Sequence, residues 1–131
     1  MRIGIIDGQG GGVGCALIER LKGKGHDLLA LGANAMATSA MLRCGASEGA
    51  TGENAVIHCA PLCDVLCGPI GIVLPNALLG EITPAMAQAI ASSPAAKVLI
   101  PSSRCCITIA GVQEKSLGQY ADDAARKILE R

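Results

Sequence analysis

The sequence lacks phenylalanine and tryptophan and has a single tyrosine, Tyr120. Its hydrophobic half consists almost entirely of aliphatic residues, methionine and cysteine, so the core must be built from small and branched side chains instead of rings. Acidic and basic residues are equal in number, 11 of each, and give zero formal net charge. Because no excess of positive charge attracts phosphate backbones or anionic lipid, we expect neither nucleic acid nor membrane partners.

Long apolar runs are also missing. The longest, residues 70–79, is interrupted by Gly71, Pro75 and Asn76 and is far shorter than the roughly 20 apolar residues of a membrane-spanning helix. A predicted strand begins directly after Met1 and leaves no room for an export signal. We therefore expect a cytoplasmic protein, in which the seven cysteines stay reduced and form no disulfide framework.

The length and hydropathy of the chain fit one compact domain over residues 1–131, with a mean hydropathy of +0.44. Only 17% of the residues are charged, so a small core leaves apolar surface that another copy of the chain can cover. These properties predict a homo-oligomer.

Strands and helices alternate along the predicted secondary structure. Short apolar runs bounded by turn residues predict buried strands, whereas apolar residues three or four apart predict amphipathic helices. Residues 47–53 are glycine-rich and predict a loop, and residues 54–60 fit a short helix, which we favour, or a strand. The other predicted strands are residues 3–6, 28–31, 64–67, 97–101 and 107–111, and the other predicted helices are residues 16–22, 36–44, 84–91 and 117–129. This alternation indicates a Rossmann-like, doubly wound α/β fold, with a mostly parallel sheet of about five strands in a three-layer α/β/α arrangement.

Five of the seven residues from Gly8 to Gly14, here called the glycine segment, are glycine, and they join the first strand to the first helix. The spacing of Gly8, Gly12 and Gly14 matches the pattern G-x-x-x-G-x-G. The pattern G-x-G-x-x-G fails, because after Gly8 and Gly10 its third glycine position is occupied by Val13. Free backbone N–H groups at such a junction, together with the helix dipole, favour a phosphate or a carboxylate. The alternative is that the glycines serve only a tight turn and close packing between helix and strand.

Other nucleotide-binding signals are absent. The second strand is followed by Gly32 and Asn34 where a dinucleotide fold places an acidic residue for the ribose, and no Gly-Lys-Ser/Thr follows the glycines. Tyr120 also lacks a lysine four residues later, because that position is Ala124. A nucleotide or dinucleotide remains a candidate ligand, while the cofactor, the reaction and enzyme activity itself stay open.

Parallel sheets bind ligands at the carboxyl ends of their strands, which defines the candidate binding residues. Among them, Asp7 is expected mainly to fix the glycine segment, and Arg104 either pairs with an anion or is solvated. Glu53 and Glu81 flank predicted helix starts, where capping is the favoured role. The candidates are Asp7, Gly8, Gln9, Gly10, Gly11, Gly12, Val13, Gly14, Gly32, Asn34, Gly68, Pro69, Ile70, Gly71 and Arg104.

The cysteines carry an alternative hypothesis, a metal or redox protein. Cys59, Cys63 and Cys67 are spaced by four residues, with His58 beside the first, but this spacing is not that of zinc or iron–sulfur sites. Packing as small hydrophobic side chains is favoured for them, so no metal ligand is assigned. Cys15, in the first turns after the glycine segment, is either a packed side chain or a reactive thiolate, and one thiol of the pair at 105–106 is expected to face inward.

Six segments together resemble a known family: residues 6–14, 30–35, 49–55, 68–73, 80–84 and 100–101. They are similar to a small bacterial family, the domain of unknown function numbered 3842, over essentially the whole chain. The resemblance implies no established substrate or reaction. The leading hypothesis is therefore a small protein that binds a nucleotide or another anionic phosphate ligand, with two alternatives: the cysteine-based protein, and an oligomeric structural or partner-binding subunit without catalysis.

Overall fold

The computed structural model describes residues 1–101 and 107–131. Two short 3-10 turns, Ala60–Leu62 and Ile70–Val73, flank one of the strands. The strands are β1 (Arg2–Asp7), β2 (Asp27–Gly32), β3 (Glu48–Thr51), β4 (Val65–Pro69) and β5 (Ala96–Ile100). The helices are α1 (Gly12–Leu21), α2 (Ala35–Cys44), α3 (Glu53–Cys59), α4 (Pro84–Ser92) and α5 (Leu117–Leu129).

The five strands form one all-parallel sheet in the order β3-β2-β1-β4-β5. From β1 the chain first adds strands on one side, and β4 then returns to the other side of β1. The strand order therefore reverses between β1 and β4, which is where open α/β sheets have a crevice at the carboxyl ends of their strands. The predicted doubly wound α/β fold with a parallel sheet of about five strands is confirmed.

Two hydrophobic clusters cover the two faces of the sheet. Alternating side chains of one strand point to opposite faces, so Ile5 belongs to one cluster and Ile6 to the other. Helices α1, α2 and α5 pack on the first face, and α3 and α4 pack on the second. The helices and the sheet make three layers, as predicted, with aliphatic residues, methionine and cysteine filling both clusters.

Side chains that accept hydrogen bonds from backbone amides begin two of the helices. The Asn34 side chain accepts a hydrogen bond from the Ala37 amide at 2.8 Å and begins α2, and Thr83 accepts one from the Met86 amide at 3.1 Å and begins α4. Pro84 occupies the first position of α4, where a missing N–H costs nothing. The capping residues therefore set the direction in which each connection enters its helix.

Two predictions of secondary structure are wrong. Glu48–Thr51, predicted as a loop, is the edge strand β3, because backbone pairing to β2 does not require an apolar sequence. Residues 107–111, predicted as a strand, are irregular chain ending in a turn, and Ile107 and Ile109 are about two-fifths exposed. The favoured helix at residues 54–60 is confirmed as α3.

Within the described parts of the chain, none of the helices is long and apolar enough to cross a membrane.

Candidate functional site

A cleft of about 660 Å³ opens where the strand order reverses. Its floor is made by the ends of β1, β4 and β5, and one wall is the glycine segment. The opposite wall comes from the irregular chain before α5 and the start of that helix. The described lining residues are Asp7, Gly8, Gln9, Gly10, Gly11, Gly12, Val13, Pro69, Ile70, Leu78, Ile100, Pro101, Ile107, Thr108, Ile109, Val112, Glu114, Lys115, Leu117 and Tyr120.

Asp7, the last residue of β1, holds the glycine segment from below. Its carboxylate accepts hydrogen bonds from the amides of Gly8 at 2.8 Å and Gly14 at 2.7 Å. The side chain is buried, and this burial raises the pKa of Asp7, although the amides of Gly14, Gly8 and Val13 oppose the shift. The expected role of Asp7 in fixing the segment is thus seen in its contacts.

A second carboxylate, that of Glu81, reaches the glycine segment from the connection before α4. One of its oxygens accepts a hydrogen bond from the Gln9 amide at 2.7 Å, and the other accepts one from the Asn34 side chain at 2.5 Å. Asn34 also donates to the Gln9 carbonyl at 3.0 Å. The favoured capping role of Glu81 is therefore wrong, because Thr83 caps α4 and Glu81 ties the glycine segment to the end of β2.

The turn that precedes Glu81 has an unusual backbone. Leu78 and Leu79 both have a φ of 56°, and Gly80 follows with a φ of 88°. Left-handed residues with a side chain cost roughly 1–2 kcal/mol each, so tertiary contacts must hold this conformation. The Leu78 side chain lines the cleft, whereas Leu79 is 98% exposed.

Packing explains three glycines of the glycine segment. A Cβ at Gly8 would come 2.9 Å from Leu78, and one at Gly11 would come 3.1 Å from the Ala37 carbonyl oxygen, where the backbone φ is also +76°. A Cβ at Gly14 would overlap Met41 of α2. These positions need glycine for close contact, as the alternative to ligand binding supposed.

Gly10 and Gly12 differ from the other three. Both are exposed, and a Cβ at either position would have no atom within 4 Å. Their amides have no hydrogen-bond partner among residues 1–101 and 107–131, whereas the amides of Gly8, Gln9, Gly11 and Gly14 are bonded internally. The expectation that the glycine segment offers many unpaired amides to a ligand is therefore wrong for most of the segment. Only the amides of Gly10 and Gly12 are left without a partner among the described residues.

The remaining sequence-predicted residues fall into three groups. Pro69 and Ile70 line the cleft beside the glycine segment. Gly32 and Gly68 serve close packing: a Cβ at Gly32 would come 2.7 Å from the Thr38 nitrogen, and one at Gly68 would overlap the Ile6 carbonyl oxygen. Gly71 is buried, and a Cβ there would make only ordinary contact with Ala77. Arg104 and the cysteines at 105 and 106 lie outside the described residues.

Sequence reasoning missed the wall opposite the glycine segment. The segment before α5 is anchored to that helix, since Lys115 pairs with Asp123 at 2.6 Å and the Tyr120 hydroxyl donates to the Gln113 carbonyl at 2.7 Å. The β-branched residues of this segment predict a strand, which would place them in the sheet and not at the wall of the cleft. The signal that could have revealed this wall is the presence of Tyr120 and Asp123 in α5, whose polar groups bond to the chain before the helix.

Comparison with known families decides the membership of the chain. The family model described as "Domain of unknown function (DUF3842)" matches residues 2–131. The chain belongs to this family. No curated protein matches the chain.

In this family member, the cysteines within residues 1–101 and 107–131 divide into a bonded pair and three free thiols. Cys15 of α1 and Cys44 of α2 form a disulfide, with their Cα atoms 5.6 Å apart, so the expectation that the thiols stay unpaired is wrong here. Cys59, Cys63 and Cys67 are free, and Cys67 is fully buried in β4. Burial raises the pKa of Cys67 to about 12, which keeps this thiol protonated and unreactive.

The free cysteines do not converge on a common point. Cys59 ends α3, Cys63 follows the 3-10 turn that contains Pro61, and Cys67 lies inside the sheet. Where the structure describes the chain, no group of three or more His, Cys, Asp or Glu side chains is placed to hold a metal ion.

Proposed function

We propose that this protein binds a small ligand through one anionic group, a phosphate or a comparable oxyanion, on the amides of Gly10 and Gly12. The body of the ligand, of nucleotide size, lies in the adjoining cleft. A single observation carries the proposal: the two glycines that packing does not require are the two whose amides have no partner among the described residues. Both also line the cleft at the point where parallel sheets bind ligands.

The number of available amides limits how many phosphate groups of a ligand can bind at this site. Two N–H groups at the start of α1, aided by the helix dipole, suit one phosphate group. The carboxylates of Asp7 and Glu81 already take the neighbouring amides and would repel a second phosphate. The proposal therefore favours a nucleoside monophosphate or a similar monophosphate ester over a dinucleotide or a nucleoside triphosphate.

The cleft supports a partly apolar ligand body. Its volume of about 660 Å³ falls within the range of small-molecule sites, roughly 300–1,000 Å³. Ile70, Ile100, Ile107 and Ile109 offer aliphatic surface for a base or another flat group, and Tyr120 offers the one aromatic ring. In this proposal Asp7 and Glu81 position the glycine segment and do not contact the ligand.

Isothermal titration with AMP, GMP, inorganic phosphate and NAD tests the proposal on the wild-type chain and two variants. Gly12→Asp places a carboxylate where the phosphate would bind, in open space that needs no repacking. Ala91→Asp is the matched control, because it adds the same charge to an exposed position near the end of α4, a residue that does not line the cleft. We expect a monophosphate to bind the wild type and the control with similar affinity, and at least tenfold more weakly to Gly12→Asp.

Two results would contradict the proposal. One is no heat and no thermal shift with any of the four compounds at millimolar concentration. The other is equal binding by the wild type and Gly12→Asp, which would move the site elsewhere.

We also propose that the protein acts in the cytoplasm as a homo-oligomer. Supporting association, Leu79, Met36 and Leu62 are 98%, 68% and 56% exposed, and another copy of the chain could cover apolar side chains of this kind. Sedimentation velocity over a range of protein concentrations tests it, and a monomer throughout would overturn it.

A further inference from the structure

The disulfide between Cys15 and Cys44 joins two helices that already pack closely. Cys15 is the fourth residue of α1 and Cys44 is the last residue of α2. Along the same contact, Ala37 lies against Gly11, and Met41 lies against Gly14. The disulfide therefore fastens the end of the glycine segment to α2, beside contacts that any change in helix spacing would disturb.

The same arrangement suits the reduced thiols. The Cys15 sulfur lies 3.3 Å from the Ala40 carbonyl oxygen, which is within the range for a thiol donating a hydrogen bond. A Cys15 thiol that kept this position while the Cys44 side chain turned away would have an acceptor in place. Both sulfurs belong to partly buried residues packed against the core, so neither is sealed from solvent as Cys67 is.

We propose that the Cys15–Cys44 pair is a reversible redox link that sets how firmly the glycine segment and the first turn of α1 are held. The structure shows the covalent bond across the helix contact, and it places the Ala40 carbonyl within reach of a reduced Cys15 thiol. In a reducing compartment a disulfide of this kind is usually transient and senses oxidants. The inference does not require that the cleft binds a ligand.

The chemistry balances with a small disulfide such as oxidised glutathione as oxidant. The thiolate of one cysteine attacks a glutathione sulfur and releases one glutathione thiolate, giving a mixed disulfide. The second thiolate attacks the protein sulfur of that mixed disulfide and releases the second glutathione. Cys15 and Cys44 lose two electrons and two protons, and oxidised glutathione takes them up as two thiol molecules.

Oxidation should change the stability of the protein in a way that depends on both cysteines. The link closes a loop with a sequence separation of 29 residues, and constraint of the unfolded chain should raise Tm by roughly 5–15 °C. Wild type, Cys15→Ser, Cys44→Ser and Cys59→Ser are compared after equilibration with oxidised glutathione and after reduction with dithiothreitol. We expect the difference in Tm in the wild type and in Cys59→Ser, the control that keeps the pair, and not in the other two variants.

Two further measurements locate the bond and its effect. Cleavage after Lys, Arg and Glu places Cys15 in residues 3–19 and Cys44 in residues 44–48, so mass spectrometry identifies the cross-linked pair separately from the other cysteines. Amide hydrogen exchange should be slower over residues 8–17 in the oxidised protein, by at least threefold, and this difference should vanish in Cys44→Ser.

Several outcomes would overturn the inference. The absence of the cross-linked peptides after oxidation would show that the pair does not form. A difference in Tm that persists in Cys44→Ser would assign it to other cysteines. Equal exchange over residues 8–17 in both states, with the cross-link present, would show that the bond does not act on the glycine segment.

Discussion

The carboxylate of Glu81 lies 2.7 Å from the Gln9 amide nitrogen, although 72 residues separate the two in sequence. Because the second Glu81 oxygen accepts a hydrogen bond from Asn34, one side chain connects the carboxyl ends of β1 and β2. The protein thus supplies its own anion at one amide of the glycine segment. Among the described residues, the amides of Gly8, Gln9, Gly11 and Gly14 then have internal partners, whereas those of Gly10 and Gly12 have none.

Neutralising Glu81 should strengthen the binding of phosphate. Glu81→Gln keeps an oxygen for the Gln9 amide but removes a negative charge a few ångströms from the proposed anion position. We expect the affinity for AMP to rise roughly 3–10-fold at low salt, while the free energy of unfolding falls by about 1 kcal/mol because the contact with Asn34 weakens.

Titration calorimetry at low and high ionic strength measures this effect. Glu53→Gln, which neutralises an exposed glutamate in the first turn of α3, is the control and should leave the affinity unchanged. An affinity that does not change in Glu81→Gln would mean that the Glu81 charge does not reach the ligand.

Alanine should have opposite effects at two glycines of the glycine segment. Gly12 has open space around its absent Cβ, so Gly12→Ala should stabilise the fold by about 0.4–1 kcal/mol through a less flexible unfolded chain. Gly14→Ala forces a Cβ against Met41 and should destabilise by about 1–3 kcal/mol. Urea unfolding of both variants measures the two signs, and a loss of stability in Gly12→Ala would mean that packing does require that glycine.

The stability of the wild type relative to Asp7→Asn should depend on pH. Burial raises the pKa of Asp7 above its ordinary value of 3.8, so the folded state binds the proton more tightly than the unfolded chain does. Between these two pKa values the wild type gains stability as the pH falls, and the gain is complete below 3.8. An uncharged asparagine has no such dependence.

We therefore expect the difference in unfolding free energy, wild type minus Asp7→Asn, to be larger near pH 4 than at pH 7. At pH 7 the variant should already be less stable by about 1–3 kcal/mol, because one of the amides of Gly8 and Gly14 faces an NH₂ group. Urea titrations across this range test both statements. If the difference in unfolding free energy became smaller as the pH fell, the pKa of Asp7 would be lowered in the folded state and not raised.

Most of the architecture followed from apolar patterning. Runs such as Ile3–Ile6 and Leu28–Leu31 are buried on both faces of the sheet, and a strand of that kind needs an uninterrupted apolar sequence. Helix starts were predictable because Asn34 and Thr83 act on amides three residues away. Capping contacts of this kind join residues only a few positions apart, so the local sequence is enough to predict them.

The misses share one cause, which is dependence on distant contacts. β3 has the sequence Glu-Gly-Ala-Thr and forms because β2 offers it a free edge. Ile107 and Ile109 have the composition of a strand, but they line the cleft and lie outside the sheet. The partners of Glu81 lie 47 and 72 residues away, and no spacing rule connects those positions.

The left-handed turn from Leu78 to Gly80 has a consequence for how related sequences should be compared. Its backbone fixes the direction in which the following glutamate leaves the chain, so a deletion of one residue there would rotate that side chain away from β1. A relative with a shortened turn would expose a third amide in the glycine segment and could accommodate a more highly charged ligand. The length of this turn can therefore be used to group members of the family by the expected charge of their ligand, before binding is measured.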